Sequence, residues 1–199
     1  MKLCFTLDDV LRDMSGQFAK AYKRYVKPDL DLEAIDFHTN DYCTLFGFES
    51  KKAFQKFLYE EYPFEIFGEA NACKKMLDKK LNLWLIDKEN TYTPDEFDVS
   101  LANPFEYNAS IGYGYFFISK MATRIRNCFF PKNSSEIWEK CDVLVTAEPK
   151  LLENKPEGKT AIKIEMPYNK ECPCDYSYDG LDKFLEDEEI INKLMENNV

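Results

Sequence analysis

The stretch Leu3-Cys4-Phe5-Thr6-Leu7-Asp8-Asp9-Val10-Leu11-Arg12-Asp13 decides how the rest of the chain is read. Lys2 to Leu7 is a short, mostly apolar run closed by two aspartates, the pattern of a buried strand, and apolar residues then recur at helical spacing over about 13–26. A strand, an acidic loop and a helix, in that order, open a parallel α/β unit.

From about 31 to 90 the pattern is helical and aromatic. Ser50 is placed to cap a helix bearing Phe54, Phe57 and Leu58, and a second helix is expected from about Glu69 to Asp87. Phe97-Asp98-Val99-Ser100-Leu101 repeats the strand signal and ends at Ala102-Asn103-Pro104, with a strongly apolar helix expected over about 109–130. Asp142 to Val145 and Thr160 to Ile164 are further strands, closed by the proline turns Glu148-Pro149 and Met166-Pro167. A last helix is expected over about 180–197. Strands alternating with helices predict an α/β fold with a Rossmann-like parallel sheet flanked by helices. The 199 residues, 45% of them hydrophobic, suffice for one core. The expected organisation is a single domain over 1–199, its core at about 1–28 and 91–199 and a small helical cap inserted at about 29–90.

A formal net charge of −10 without any basic run argues against direct nucleic-acid binding, because a polyanion would be repelled. The acidic cluster Leu185-Glu186-Asp187-Glu188-Glu189 reads as the start of a helix, where carboxylates suit the positive end of the dipole. Met1-Lys2-Leu3-Cys4-Phe5 leads into no long apolar stretch, so neither a signal peptide nor a membrane span is expected. The expected location is the cytoplasm, or a phage particle assembled there.

The seven cysteines, Cys4, Cys43, Cys73, Cys128, Cys141, Cys172 and Cys174, are odd in number and lack a repeated CxxC spacing. They read as reduced, mostly buried thiols rather than a disulfide framework or a zinc site, and Cys172-Pro173-Cys174 reads as a loop pair without a metal. His38, the only histidine, sits beside Phe37 and Asn40 and reads as a turn or helix-end residue rather than a base. Tyr113, Tyr115, Phe116, Phe117, Phe129 and Phe130 read as core packing, with any surplus apolar surface available to an interface.

In open parallel sheets ligands bind beyond the carboxyl ends of the strands. The residues there are Thr6, Asp8 and Asp9, then Ala102 and Asn103, Lys120 on the following helix, and Thr146, Ala147 and Glu148. Together with the opening stretch they resemble the haloacid-dehalogenase-like phosphatases, whose first motif is an apolar run followed by Asp-x-Asp-Gly-Val-Leu-x-Asp. Tyr62-Pro63-Phe64-Glu65-Ile66-Phe67-Gly68 is similar to the cap of the small 5'(3')-deoxyribonucleotidases. Asp142-Val143-Leu144-Val145-Thr146-Ala147-Glu148-Pro149 stands where that family carries its acidic fourth motif. Gly158-Lys159-Thr160-Ala161-Ile162 to Pro167-Tyr168-Asn169 resembles its closing strand and turn.

The resemblance implies an aspartyl-phosphate mechanism, from which this chain departs. Thr6 stands at the position of the nucleophilic aspartate, and a threonine hydroxyl without a base is a poor nucleophile. Ala102 has no hydroxyl where the second motif would hold a phosphate oxygen. Thr146 and Ala147 replace the acidic residues that would bind Mg²⁺. Asp8 keeps the position of the general acid, and Lys120 is the best candidate for the phosphate-neutralising lysine, although a solvated lysine fits its apolar helix equally. Asp9, where the family has glycine, and Glu148 read as surface loop carboxylates rather than a displaced nucleophile and a displaced metal ligand, since in-line attack tolerates errors of about 1 Å.

The expectation is therefore a vestigial phosphate pocket with no catalytic residue, no metal and no cofactor, Mg²⁺ entering only if activity survives. The expected function is a catalytically inactive scaffold or structural component that works through protein contacts, as a homo-oligomer or with another protein, without membrane binding. A nucleotide- or phosphate-binding sensor without turnover is the alternative, and a divergent 5'(3')-deoxyribonucleotidase the second.

Overall fold

In the computed structural model, which describes residues 1–103 and 108–197, the opening stretch forms β1 (Lys2–Thr6), a loop and α1 (Met14–Tyr25). The carboxylate of Asp13 caps α1, accepting from Gly16 N at 2.9 Å. There follow α2 (Tyr42–Leu45), α3 (Lys51–Lys56), two π-helical segments (Phe57–Glu61 and Phe64–Gly68) and α4 (Leu77–Thr91). Ser50 caps α3 as expected, its hydroxyl accepting from Ala53 N at 3.1 Å. The helix expected from Glu69 begins only at Leu77, where Met76 adopts a left-handed conformation with φ 62°.

The second half contains β2 (Asp98–Ala102), α5 (Asn108–Met121), β3 (Asn127–Phe129), α6 (Ser134–Lys140), β4 (Val143–Thr146), α7 (Pro149–Glu153), β5 (Thr160–Ile164), β6 (Tyr176–Tyr178), α8 (Leu181–Glu186) and α9 (Glu188–Asn197). Pro104, expected to close β2, lies outside the described residues. α5 stops at Met121 rather than near 130, with Ala122 at φ 46°, and the chain returns as β3. The expected last helix is broken at Asp187. Its carboxylate accepts the N–H groups of Glu189 and Ile190 at 3.2 and 3.1 Å and thereby starts a new helix. The acidic cluster thus spans the junction of α8 and α9.

Among the described residues six strands form one parallel sheet in the order β3-β2-β1-β4-β5-β6. The connections run outward from β1 to one edge, then return past it to build the other. Strand alternation sends Leu3 and Phe5 to one face, where they pack with Leu81, Trp84, Phe117 and Phe184, and Cys4 to the other, against Ile137, Trp138 and Leu152. Phe5, Trp84 and Phe184 meet edge-on or tilted at centroid separations of 6.0–6.2 Å.

A separate cluster of Met14, Phe18, Tyr22, Tyr42, Phe46, Phe57, Leu58, Ile66 and Phe67 joins α1 to the inserted segment. Phe18 is fully buried at its centre, and burying a side chain of that size stabilises by about 1.5–3 kcal/mol. Within 29–90 the residues thus pack in two places, those up to Phe67 on α1 and those of α4 on the sheet. No helix among the described residues is long and apolar enough to cross a membrane. The described cysteines are free thiols, with Cys4 and Cys141 buried and the other five half-buried.

Candidate functional site

The register pairs Thr6 with Ala102 across β1 and β2, and Phe5 with Val145 across β1 and β4, so Thr6 and Thr146 end adjacent strands. This is the point where strand order reverses, the usual crevice of an open parallel sheet. Thr6 Oγ1 donates to Thr146 Oγ1 at 3.1 Å, and Thr146 Oγ1 also accepts from Glu148 N at 3.1 Å. Thr6, Ala102, Thr146 and Ala147 are all buried, which makes the floor of the site neutral.

A cavity of about 190 Å³ opens beside this floor. Its polar lining is Thr6, Asp8, Asp9, Asn40, Asn103 and Glu148, and its apolar lining is Met14, Phe54, Leu58 and Phe67 with the rings of Tyr42, Tyr59 and Tyr168. The inserted segment supplies most of the apolar wall and Asn40, while the loops after the strands supply the rest of the polar one.

Asp8 is held by a residue that sequence reasoning assigned no role. Arg12 is fully buried; its Nε and Nη2 donate to Asp8 Oδ1 at 2.8 and 2.7 Å, and its Nη1 donates to the carbonyl of Phe67 at 3.3 Å. The rings of Phe67 and Phe117 lie 5.1 and 5.7 Å from the guanidinium carbon, within cation–π range. Asn103 Nδ2 donates to Asp8 Oδ2 at 3.2 Å, and Asn103 Oδ1 accepts from Asp8 N at 3.4 Å. The only sequence signal for the ion pair was the four-residue spacing of Asp8 and Arg12, and that spacing carries weight on a helix, whereas these residues form a loop.

Asp9 is buried rather than a surface carboxylate. It adopts φ 55°, the left-handed region in which glycine is at ease, and glycine is what the resemblance places there. Its Oδ1 accepts from Ser15 N at 2.9 Å, and its Oδ2 accepts from the hydroxyls of Ser15 and Tyr168 at 2.5 and 2.8 Å and of Tyr42 at 3.3 Å. Burial raises the pKa of Asp9 despite these donors, and burial beside Asp9 raises those of Tyr42 and Tyr168 well above the usual phenol value. This network ties β1 to α1, α2 and the turn after β5. It anchors the loop.

Glu148 is half-buried, and burial raises its pKa. Both its oxygens accept from Asn40 Nδ2, at 3.1 and 3.2 Å, and Oε1 accepts from Lys150 N at 3.4 Å, which caps α7 with Pro149 at its first position. Lys120 does not line the cavity. Its ammonium donates to the carbonyls of Gly68 and Ala70 at 3.2 and 2.8 Å, and partial burial lowers its pKa. The role of phosphate-neutralising lysine therefore has no geometric support in this arrangement. His38 is exposed, its Nδ1 lies 3.0 Å from the carbonyl of Asp36, and it is not among the residues that line the cavity.

The donor set does not fit a magnesium ion. A hard dication needs several carboxylate or carbonyl oxygens converging on one point, but the strand ends offer hydroxyls and methyl groups, and the carboxylate of Asp8 is paired with Arg12. Among the described residues no three His, Cys, Asp or Glu side chains are grouped to hold a metal.

Solved structures share this architecture. A protein from Burkholderia xenovorans assigned as a haloacid dehalogenase-like hydrolase matches with a TM-score of 0.59 and 10% identity over 95% of this chain and 96% of its own. A dehalogenase solved with an intermediate complex matches with a TM-score of 0.57 and 13% identity over 93% and 95% of the two chains. The magnesium-bound hydrolase YfnB from Bacillus subtilis matches with a TM-score of 0.53 and 11% identity over 96% and 98%. No protein-family model and no curated protein matches the sequence. The six-stranded parallel sheet flanked by helices is thus the haloacid-dehalogenase-like fold.

Proposed function

We propose that this chain is a haloacid-dehalogenase-like protein that performs no phosphoryl transfer and acts through contacts with other proteins, as a scaffold or a component of an assembly. The observation that carries the first half is the Thr6–Thr146 hydroxyl contact at 3.1 Å, which fills the strand ends where an aspartyl nucleophile and acidic metal ligands would be needed. Fold and function part company at such a site, because chemistry resides in side chains rather than in sheet topology. For the second half, support comes from exposed aromatics on neighbouring elements. Phe116 and Phe64 pack at 5.2 Å while each remains more than two-fifths exposed, and Tyr115 is half exposed.

A second reading, a small-molecule sensor without turnover, is favoured by the cavity beside the threonines, which has a polar and an aromatic wall. Thermal unfolding with deoxynucleoside monophosphates and inorganic phosphate, each with and without Mg²⁺, separates the readings when phosphate release is measured in the same samples. The scaffold reading expects neither shift nor release. A metal-dependent shift with release would overturn both readings in favour of an active nucleotidase, whereas a shift without release selects the sensor.

A further inference from the structure

The cavity carries acceptors where a phosphate site would carry donors, and this difference identifies a ligand class. Around its rim the described N–H and O–H donors are already engaged within the protein: Asn40 Nδ2 with Glu148, Asn103 Nδ2 with Asp8, Arg12 with Asp8 and Phe67 O, and Thr6 Oγ1 with Thr146. Among the described lining residues there is no lysine, arginine or histidine. A bound anion would meet three carboxylates, Asp8, Asp9 and Glu148, with one guanidinium to offset them.

The carboxylates differ in what they have left to accept. Asp9 Oδ2 lies within hydrogen-bond reach of three hydroxyls and has little capacity left for a ligand. Among the described residues Asp8 Oδ2 accepts from Asn103 Nδ2, and Glu148 Oε2 accepts only a long bond from Asn40 Nδ2, while Oε1 shares that nitrogen and also accepts from Lys150 N at 3.4 Å, so lone pairs of both residues remain for a ligand. The other wall is apolar and aromatic, with Phe54, Leu58, Tyr59 and Phe67, and Tyr59 stacks on Phe67 at 5.8 Å and 15°. Carboxylates on one side and ring faces on the other both attract a cation that also carries hydrocarbon.

We infer that this pocket binds a small organic cation, a primary ammonium on an alkyl or aryl chain, with its charged head between Asp8 and Glu148 and its apolar part against Phe54, Leu58, Tyr59 and Phe67. The ammonium has three donors and no acceptor, which matches a rim of unfilled acceptors. This inference rests on the sensor reading of the same cavity. It replaces the phosphate of that reading with a ligand of opposite charge.

The test is calorimetric titration of the full chain with phenethylammonium and butylammonium chloride, against phenethyl alcohol, butanol and inorganic phosphate as probes, with phosphate release from deoxynucleoside monophosphates followed separately. Saturable binding of the ammonium probes is expected, with no heat from the alcohols or phosphate. Glu148→Gln should weaken binding by about tenfold or more, the loss expected for one charge-assisted hydrogen bond, and Tyr59→Leu should weaken the phenethyl probe more than the butyl one. Equal binding of alcohols and ammoniums, or binding of phosphate alone, would overturn the inference, as would full affinity in both variants. Phosphate release by a protein that still binds ammonium would overturn the non-catalytic reading and leave this one intact.

Discussion

Replacing Asp8 with alanine leaves the fully buried guanidinium of Arg12 without the carboxylate that its Nε and Nη2 reach at 2.8 and 2.7 Å. Removing one member of a buried ion pair costs about 3–5 kcal/mol, because the remaining charge is desolvated without compensation. The Asp8 side chain is 36% exposed, however, so water enters the vacated space and screens the arginine. That lowers the expected loss to about 2–3 kcal/mol. For a chain of this length the melting temperature should fall by about 4–12 °C. Urea unfolding followed by the fluorescence of Trp84 and Trp138, both buried, measures the change directly. The double variant Asp8→Ala/Arg12→Met removes the orphaned charge and should recover at least about 1 kcal/mol of the single-variant loss. A single-variant loss below about 1 kcal/mol, or a double variant no more stable than Asp8→Ala, would refute the assignment of Asp8 as the counter-ion that keeps Arg12 inside.

Thr6→Asp alone should not create phosphatase activity, since Thr146 and Ala147 still supply no acidic metal ligand, and it should destabilise by about 1–3 kcal/mol through burial of an ill-matched acceptor beside Thr146; magnesium-dependent release from p-nitrophenyl phosphate above the wild-type rate would contradict this. Because burial holds the pKa of Asp9 above its ordinary 3.8, the folded protein binds that proton more tightly than the unfolded chain does. Its contribution to stability therefore falls as pH rises from the ordinary carboxylate range through the folded pKa, and Asp9→Asn should flatten that slope in unfolding curves collected across mildly acidic pH. Gly16→Ala would place a methyl carbon 2.5 Å from both oxygens of Asp13, displacing the cap of α1, and a loss of about 0.5–2 kcal/mol is expected from denaturant midpoints.

The strands inside the sheet were legible because each is a short, largely apolar or alternating segment, as in Leu3 to Leu7 and Val143 to Val145, bounded by polar or proline residues. β3 and β6 were not, since three-residue edge strands such as Asn127–Phe129 and Tyr176–Tyr178 are too short to show a period. The strand ends located Thr6, Asp8, Asp9, Asn103 and Glu148, all of which line the cavity. What the strand ends could not convey was which carboxylates are tied down. Asp9 looks like any loop aspartate until Ser15, Tyr42 and Tyr168, far apart in sequence, converge on it. Arg12 looks like a surface arginine until the loop folds back and Phe67, from the insert, closes over it. The surroundings of Lys120 were not legible because helical pattern gives no orientation relative to a pocket, and the carbonyls of Gly68 and Ala70 that it meets belong to a segment expected to be helical in part.

The strand order also sets a sequence of events during synthesis. β1 lies between β2 and β4, both of which are made much later, so its backbone groups have no sheet partners until residues near 98 and then near 143 have emerged. The buried members of the aromatic cluster of α1 and the insert all lie between Met14 and Phe67, and these are able to collapse before then. Assembly of the sheet is thereby delayed by long loop closures, and a ribosome-bound chain cut short before β4 would expose an apolar strand edge that chaperones recognise and the finished sheet conceals.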